Sequence, residues 1–310
     1  MRWNVSSKEE LAIQMAHHSA IRSMQRIVEQ QAPASPEDEA RAGVQQLLDA
    51  GDVLVVTGAG VSTDSGIPDY RGPNGSLQRH RPMTYQEFRY RPEARQRYWA
   101  RGYVGWRHMD KAEPNQIHRR LVQWEQEGKI TGIITQNVDG LHQQAGSKQV
   151  IPVHGDLSTV RCLNCGYSED RRDFDIRLEA ANKGYLEAVE IDPSAVNPDG
   201  DVELPQHLID QFVMVRCLNC GSYALKPDVV YFGESVPAER KELMAVLEAE
   251  SKALLVLGSS LAVMSGYKVL LNFVKRELPV ALITNGHVRG EQKATWRWRV
   301  PLETALSQLD

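Results

Sequence analysis

Four cysteines occur in the 310-residue chain, and they form two Cys-x-x-Cys pairs, Cys162/Cys165 and Cys217/Cys220, each followed by a glycine. Thiolates delivered by two tight turns match a tetrahedral four-cysteine zinc site, and four protein ligands leave such a metal no open position for catalysis. A redox pair accounts for one Cys-x-x-Cys but not its twin, and disulfides do not suit a reducing compartment. One structural zinc ion is the expectation. A second group has the chemistry of a nucleotide site: Gly58-Ala59-Gly60-Val61-Ser62-Thr63-Asp64-Ser65-Gly66 continues into Ile67-Pro68-Asp69-Tyr70-Arg71. Glycines let backbone approach a ligand, and Ser, Thr and Asp cap helix N-termini, so a phosphate is the natural guest. The G-x-G-x-x-G fingerprint is incomplete, because Thr63 stands at the third glycine position. Gln136, Asn137 and Asp139 form a small polar cluster with both donors and acceptors. His154, before Gly155, offers a ring that can take a proton near neutrality, although a lone histidine at a strand end is by itself more often structural.

The elements that must position these residues are apolar runs that stop where the polar clusters begin. Val53–Thr57 is mostly β-branched and does not alternate, as expected of a parallel strand covered on both faces. Ile130–Thr135 ends at Gln136, residues 150–153 at His154, and 228–232 at Gly233-Glu234. Ala253–Leu257 ends at Gly258-Ser259-Ser260, and Val280–Ile283 at Thr284-Asn285-Gly286. In open parallel α/β sheets ligands bind beyond the carboxyl ends of the strands, where all these clusters would lie. A helix over 37–50 (capped by Ser35 or a neighbour, with Val44, Leu47 and Leu48 buried) leads into the first strand, another opens at Pro114-Asn115 and closes at Gly128, and helices over about 237–250 and 265–277 supply the crossovers.

The expected fold is therefore α/β, a doubly wound parallel sheet (Rossmann-like) with a smaller domain made of a helical module and a four-cysteine zinc module. Residues 1–36 form an N-terminal helical appendage and linker, with Leu11, Met15, Ile21, Met24 and Ile27 as spaced apolar positions and a break at Ala32-Pro33-Ala34-Ser35-Pro36. Segments 37–78, 129–158 and 228–310 make the dinucleotide-binding domain. Residues 79–128, dense in Arg, Tyr and Trp, make the helical module, and 159–227 the zinc module, with an insertion carrying the turn Asn197-Pro198-Asp199-Gly200-Asp201.

A formal charge of −4 supplies no basic field for nucleic acid. The arginines and aromatics of 91–107 could stack on bases, but at this charge they suit packing or the lining of a channel better. No apolar run approaches the roughly 20 residues of a membrane span. The N-terminus lacks the basic-then-apolar layout of a secretory signal, and Glu9 and Glu10 do not fit a transit peptide, so a cytoplasmic protein is expected.

Gly58-Ala59-Gly60, Gly66-Ile67-Pro68-Asp69-Tyr70-Arg71, Thr135-Gln136-Asn137-Val138-Asp139, His154-Gly155, the two cysteine pairs and Gly258-Ser259-Ser260 follow one another in the order of the sirtuin signature motifs, and the chain resembles that family over about residues 40–290. Lys226 to Glu234 and Arg97-Tyr98-Trp99-Ala100-Arg101 look closest to the class II branch. The resemblance implies NAD as co-substrate and acyl-lysine proteins or peptides as partners. In the family the nicotinamide–ribose bond is cleaved, a histidine acts as base on the ribose 2′-hydroxyl, and nicotinamide and O-acyl-ADP-ribose leave. His154 matches that base, Asn137 and Asp139 the residues that orient ribose and carboxamide, and Gln136 a ribose contact. Gly58, Ala59, Gly60, Ser62, Thr63, Asp69, Tyr70 and Arg71 match the cofactor loop, and Gly258, Ser259 and Ser260 the phosphate and ribose contacts. Val229, Val230, Phe232, Gly233 and Glu234 match the edge to which a substrate backbone adds as a strand.

This sequence departs from the family pattern at three places. Tyr70 replaces a phenylalanine but keeps an aromatic plane. Thr284 stands where an adenine-ribose asparagine is usual, with Asn285 next and Gly286 after it, and Trp296-Arg297-Trp298-Arg299 is unlike the usual adenine-capping segment. A protein mono-ADP-ribosyltransferase, a lipoamidase-type deacylase and a non-catalytic NAD sensor stand as alternative readings. Tyr98 and Arg101 have the three-residue spacing of a succinyl-reading pair, which leaves the acyl preference open.

Overall fold

The computed structural model describes residues 6–24, 31–71, 83–189 and 196–310. Its frame is a six-stranded parallel sheet of β1 (Val53–Thr57), β2 (Ile130–Thr135), β3 (Val150–Pro152), β7 (Ala253–Leu257), β8 (Val280–Ile283) and β9 (Trp296–Trp298), in the order β3-β2-β1-β7-β8-β9. Every residue of β1, β7 and β8 is buried, because helices cover both faces. Val53, Val55, Leu255 and Leu257 face one core with α2 (Glu37–Ala50), α5 (Gln116–Gln126) and α11 (Leu302–Ser307). Leu54, Val56, Leu254 and Val256 face the other with α9 (Ala238–Glu250) and α10 (Met264–Lys275). Strand order reverses at the β1/β7 junction, which opens a crevice past the strand ends.

The smaller region is built on an antiparallel sheet of β4 (Gly155–Cys162), β5 (Ser168–Asp170) and β6 (Leu225–Val229), ordered β5-β4-β6. It shares one core with α3 (Tyr85–Tyr90), α4 (Pro92–Met109), α7 (Arg171–Ala181) and α8 (Gln206–Gln211), centred on Phe88, Trp99, Tyr103, Phe174 and Phe212. Burying such side chains contributes about 1.5–3 kcal/mol each, and the Trp99 indole N–H is satisfied by the Leu225 carbonyl at 2.8 Å. The aromatics of 91–107 are thus largely core residues.

Five expectations need correcting. The strand expected over 228–232 lies at Leu225–Val229 and pairs antiparallel with β4 instead of joining the main sheet. Pro227 is tolerated because β6 is an edge strand. The sixth parallel strand, β9, is absent from the sequence reading, since three residues rich in Trp and Arg do not look like a core strand. Helix α2 is preceded by Pro36 with no side-chain cap; Ser35 instead pairs with Arg297 at the edge of β9. Helix α1 (Ser7–Met24) exposes Leu11 and Met15 and buries Ile13, Ala16 and Ala20. Its docking on α3 rests on small residues, on the Glu10–Arg91 ion pair at 2.7 Å and on the His17–Glu87 contact at 3.1 Å, a stripe that hydrophobicity alone misplaces. Residues 31–36 are tied to the C-terminal region, with the Ala32 N–H on Glu291 and the Pro33 carbonyl accepting from Arg297, so they are more than a linker. Ile27 and the Met24 side chain lie outside the described residues. No helix among the described residues is long and apolar enough to cross a membrane.

Candidate active site

One cavity of about 1560 Å³ runs along the carboxyl ends of β1, β2 and β7 and under the smaller region. A pocket for a single small ligand holds roughly 300–1,000 Å³, so this one has room for a dinucleotide and a substrate side chain together. Its lining includes Gly58, Ala59, Gly60, Thr63, Asp69, Tyr70, Arg71, Gln136, Asn137, His154, Gly258, Ser259, Ser260, Thr284, Asn285 and Gly286, and, toward the smaller region, Val229, Val230, Phe232, Gly233 and Glu234. Both Thr284 and Asn285 face it, so the slip at this position leaves an amide within the pocket.

Ser62 and Asp139 do not line the cavity; they form the layer beneath it. The Ser62 hydroxyl donates to Asp139 Oδ2 at 2.7 Å and accepts from the Asn137 amide at 3.0 Å, and that amide also donates to the Gly58 carbonyl at 3.1 Å. Asn137 is thereby fixed facing the cavity. Asp139 also caps the Leu141 N–H at 3.0 Å, opening α6 (Leu141–Ala145), while burial pushes its carboxyl above the usual range.

The glycines of the cofactor loop serve a contact that the sequence does not reveal. A Cβ on Gly58 would lie 2.7 Å from the Ser259 Cβ, and one on Gly60 2.9 Å from the Gly258 Cα. They let the loop after β1 meet the loop after β7, joined by Gly60 N–H to the Gly258 carbonyl at 3.0 Å. Several N–H groups read as phosphate donors are likewise spent inside two short 3-10 turns, Ser62 on Ala59 and Ser65 on Ser62 among them.

His154 is held at both ring nitrogens. Nδ1 lies 2.9 Å from the Gln136 carbonyl, which can only accept, so the proton resides on Nδ1 and Nε2 is the basic nitrogen. Nε2 accepts from the Ser265 hydroxyl at 2.7 Å. Burial lowers the ring below its ordinary pKa of 6.5; the Gln136 hydrogen bond opposes this and the Arg240 charge adds to it. A neutral ring whose basic nitrogen points at Ser265, itself a lining residue, can take a proton from a bound hydroxyl that replaces the serine's. Ser265 and Arg240 have no motif of their own, and only the packing of α9 and α10 brings them here.

The segment expected to pair with a substrate backbone has one edge occupied. The Phe232 carbonyl accepts from the Tyr85 N–H at 2.9 Å and the Gly233 carbonyl from the Gln86 side chain at 3.0 Å. Val230 N–H bonds to the His154 carbonyl at 2.7 Å, which ties this segment to His154. The Lys226 ammonium gathers the Pro227 and Val229 carbonyls and pairs with Glu234 at 3.2 Å.

The four cysteine sulfurs lie within 4.8 Å of one another, with Cys162–Cys220 at 3.6 Å and Cys165–Cys217 at 3.7 Å. Zinc–sulfur bonds of about 2.3 Å set the edge of a tetrahedron near roughly 3.8 Å, so the donor set fits one Zn²⁺. Cys165 is pulled down to about 6 by the Asn219 amide and the Tyr167 N–H, while burial pushes Cys162 up to about 12. A divalent cation would hold both as thiolates.

Fold and site together define an α/β protein with a buried imidazole beside a strand-end crevice large enough for a dinucleotide, and a separate four-cysteine cluster that fits a metal ion. The Sir2 family pattern matches residues 58–265. The chain is 54% identical over 273 residues to an NAD-dependent protein deacetylase 1 of Corynebacterium efficiens, covering 88% of this chain and 97% of that protein. It is 42% identical to the NAD-dependent protein deacylase Sirt4 of Drosophila melanogaster, covering 83% and 82% of the two chains. Among solved structures, a Sir2–p53 peptide–NAD+ complex superposes with a TM-score of 0.64 at 29% identity, covering 85% of this chain and 94% of that one. The chain belongs to the Sir2 family.

Proposed function

We propose that the chain is an NAD-dependent protein-lysine deacylase with His154 as its general base. Bound NAD supplies a nicotinamide leaving group and the ribose that receives the acyl group. The observation that carries the assignment is the tautomer of His154, with Nδ1–H donated to the Gln136 carbonyl and the basic Nε2 directed to Ser265 at the cavity wall. His154 Nε2 accepts the proton of a ribose hydroxyl, and burial, which lowers the ring's pKa, favours its neutral form before that step. Asn137, held by Ser62 and the Gly58 carbonyl, orients the ribose and carboxamide, and Asp139 acts through Ser62 as a positioning residue. Tyr70 shields the reacting sugar from water. The backbone of 229–234 receives the peptide on the edge not taken by Tyr85 and Gln86.

Nicotinamide release from NAD is the test. It should require an acyl-lysine peptide, yield O-acyl-ADP-ribose, and fall roughly 10²–10⁴-fold in His154→Ala. Release without any acyl-lysine, accompanied by covalent labelling of a protein from NAD, would replace deacylation with ADP-ribosyl transfer. No turnover of NAD at all would leave only a sensor.

A further inference from the structure

Ser265 stands in the geometry of an activated nucleophile, a hydroxyl that deacylation does not use. It lies in the first turn of α10 and lines the cavity. Its hydroxyl donates to His154 Nε2 at 2.7 Å, and the Nδ1–H across the ring donates to the Gln136 carbonyl at 2.9 Å. A hydroxyl, a neutral imidazole and an acceptor that fixes the tautomer are the parts of a serine nucleophile, here with a main-chain carbonyl in place of a carboxylate. The packing enforces this arrangement. A Cβ on Gly266 would lie 2.8 Å from Gln136 Oε1, so glycine lets the start of α10 close on the residue that orients the ring. The Gln136 amide is fixed in turn, donating to Ser259 Oγ at 2.6 Å and to the Thr57 carbonyl at 3.3 Å.

The same turn supplies donors for a developing oxyanion. The Tyr267 N–H bonds the Val263 carbonyl at 3.2 Å, which leaves the N–H groups of Met264, Ser265 and Gly266 with no carbonyl partner inside the helix. Val263, at the cap position, provides no side-chain acceptor for them. Backbone amides left over at a helix start favour negative charge, as an acyl-transfer intermediate demands. Burial first, and the Arg240 charge after it, disfavour the imidazolium that serine attack creates, and the Gln136 carbonyl supports it with a dipole instead of a full charge. That balance restricts the chemistry to esters, whose alkoxide or phenoxide leaves more readily than an amine.

We propose that in the NAD-free pocket Ser265 and His154 form a nucleophile–base pair that hydrolyses carboxylic esters through an acyl-serine. Ser265 Oγ bonds the ester carbonyl carbon as its proton passes to His154 Nε2. The C–O bond to the alcohol then breaks, and the alcohol leaves with that proton. Water attacks the acyl-serine and gives a proton to Nε2, which returns it to Ser265 Oγ as the carboxylic acid departs. The activity does not depend on the deacylase reading, since no NAD takes part, although O-acyl-ADP-ribose is an ester of this class.

The test is hydrolysis of p-nitrophenyl acetate by the purified chain without NAD. Hydrolysis above the buffer rate is expected, and it should fall roughly 10²-fold or more in Ser265→Ala and in His154→Ala. A fluorophosphonate, whose fluoride leaves as phosphorus bonds the serine oxygen, should label Ser265 as located by peptide mapping, and should not label it in His154→Ala. Ser265→Cys keeps a nucleophile in place and should take the acetyl group as a thioester, so a misfolded alanine variant cannot mimic the result. Hydrolysis unchanged in Ser265→Ala, phosphonate found elsewhere than on Ser265, or no hydrolysis at all overturns the proposal. Nicotinamide release from NAD with an acyl-lysine peptide is measured in parallel on the unmodified chain. If release is absent while Ser265 is labelled, the deacylase reading fails and the esterase stands; release without labelling removes the esterase alone.

Discussion

Two buried histidines beneath the cofactor loop should make this protein lose stability steeply in mild acid. His142 Nε2 lies 2.9 Å from the Thr57 hydroxyl at the end of β1, and its ring faces His118 with centroids 4.8 Å apart. Both rings are almost wholly inaccessible, and His118 Nε2 and His142 Nδ1 have no hydrogen-bond partner among the described residues. Burial lowers His118 to about 4 and His142 to about 3, with the Arg119 charge adding to the first and the neighbouring His118 ring to the second. In the unfolded chain both titrate near roughly 6.5. The unfolded state therefore binds more protons between these limits. The stabilising contribution is present above about pH 6.5 and is lost as pH falls toward the folded values. Each ring contributes a slope of about 1.4 kcal/mol per pH unit, or about 2 kcal/mol between pH 7 and pH 5. Replacing His142 by Gln keeps a group that can bond Thr57 and removes one titration. Urea unfolding followed at pH 7, 6 and 5 should give a variant whose stability falls less steeply than the wild type, by about 1.4 kcal/mol per unit below pH 6.5. Parallel slopes would refute the reasoning, because the carboxylates and remaining histidines are common to both proteins. The consequence for function is direct. Asn115, whose side chain caps α5 beside His118, also donates to the Val61 carbonyl of the cofactor loop at 2.8 Å, so charging this pair should loosen the loop.

The acid limb of kcat/KM should report His154. Activity is expected to rise with a single ionisation below pH 6.5 and stay flat above it, and a limb centred above about pH 7 would contradict the buried neutral ring. Arg240→Gln removes a cation that disfavours the protonated ring, so the limb should move to higher pH, as a pH–rate profile would reveal; an unmoved limb counts against that link. The purified chain should carry one equivalent of zinc by elemental analysis, and Cys220→Ser or strong chelation should lower the melting temperature together with the metal content. Full zinc occupancy in Cys220→Ser would exclude the tetrahedral four-sulfur site.

The sequence by itself determined the parallel sheet, the crevice at its strand ends, the four-cysteine cluster and the position of His154 beside that crevice. Each of these is written locally. Unbroken apolar runs such as 253–257 can only be satisfied by burial on both faces, and two Cys-x-x-Cys turns carry their ligands with them. A glycine-serine cluster beyond a strand end likewise needs no distant partner to be recognised. Only the tertiary structure decided the rest. The hydrophobic pattern of α1 pointed to Leu11 and Met15, whereas docking on α3 selected Ala16 and Ala20, because what a face buries depends on the shape it meets. Gly58 and Gly60 look like phosphate-loop glycines, yet the close approach they permit is to the Gly258-Ser259 backbone. Tyr98 and Arg101 share the same local spacing whether or not the arginine reads an acyl chain. Asp201, a hundred residues away, turns it aside, since a buried guanidinium must find its counter-charge wherever folding places one.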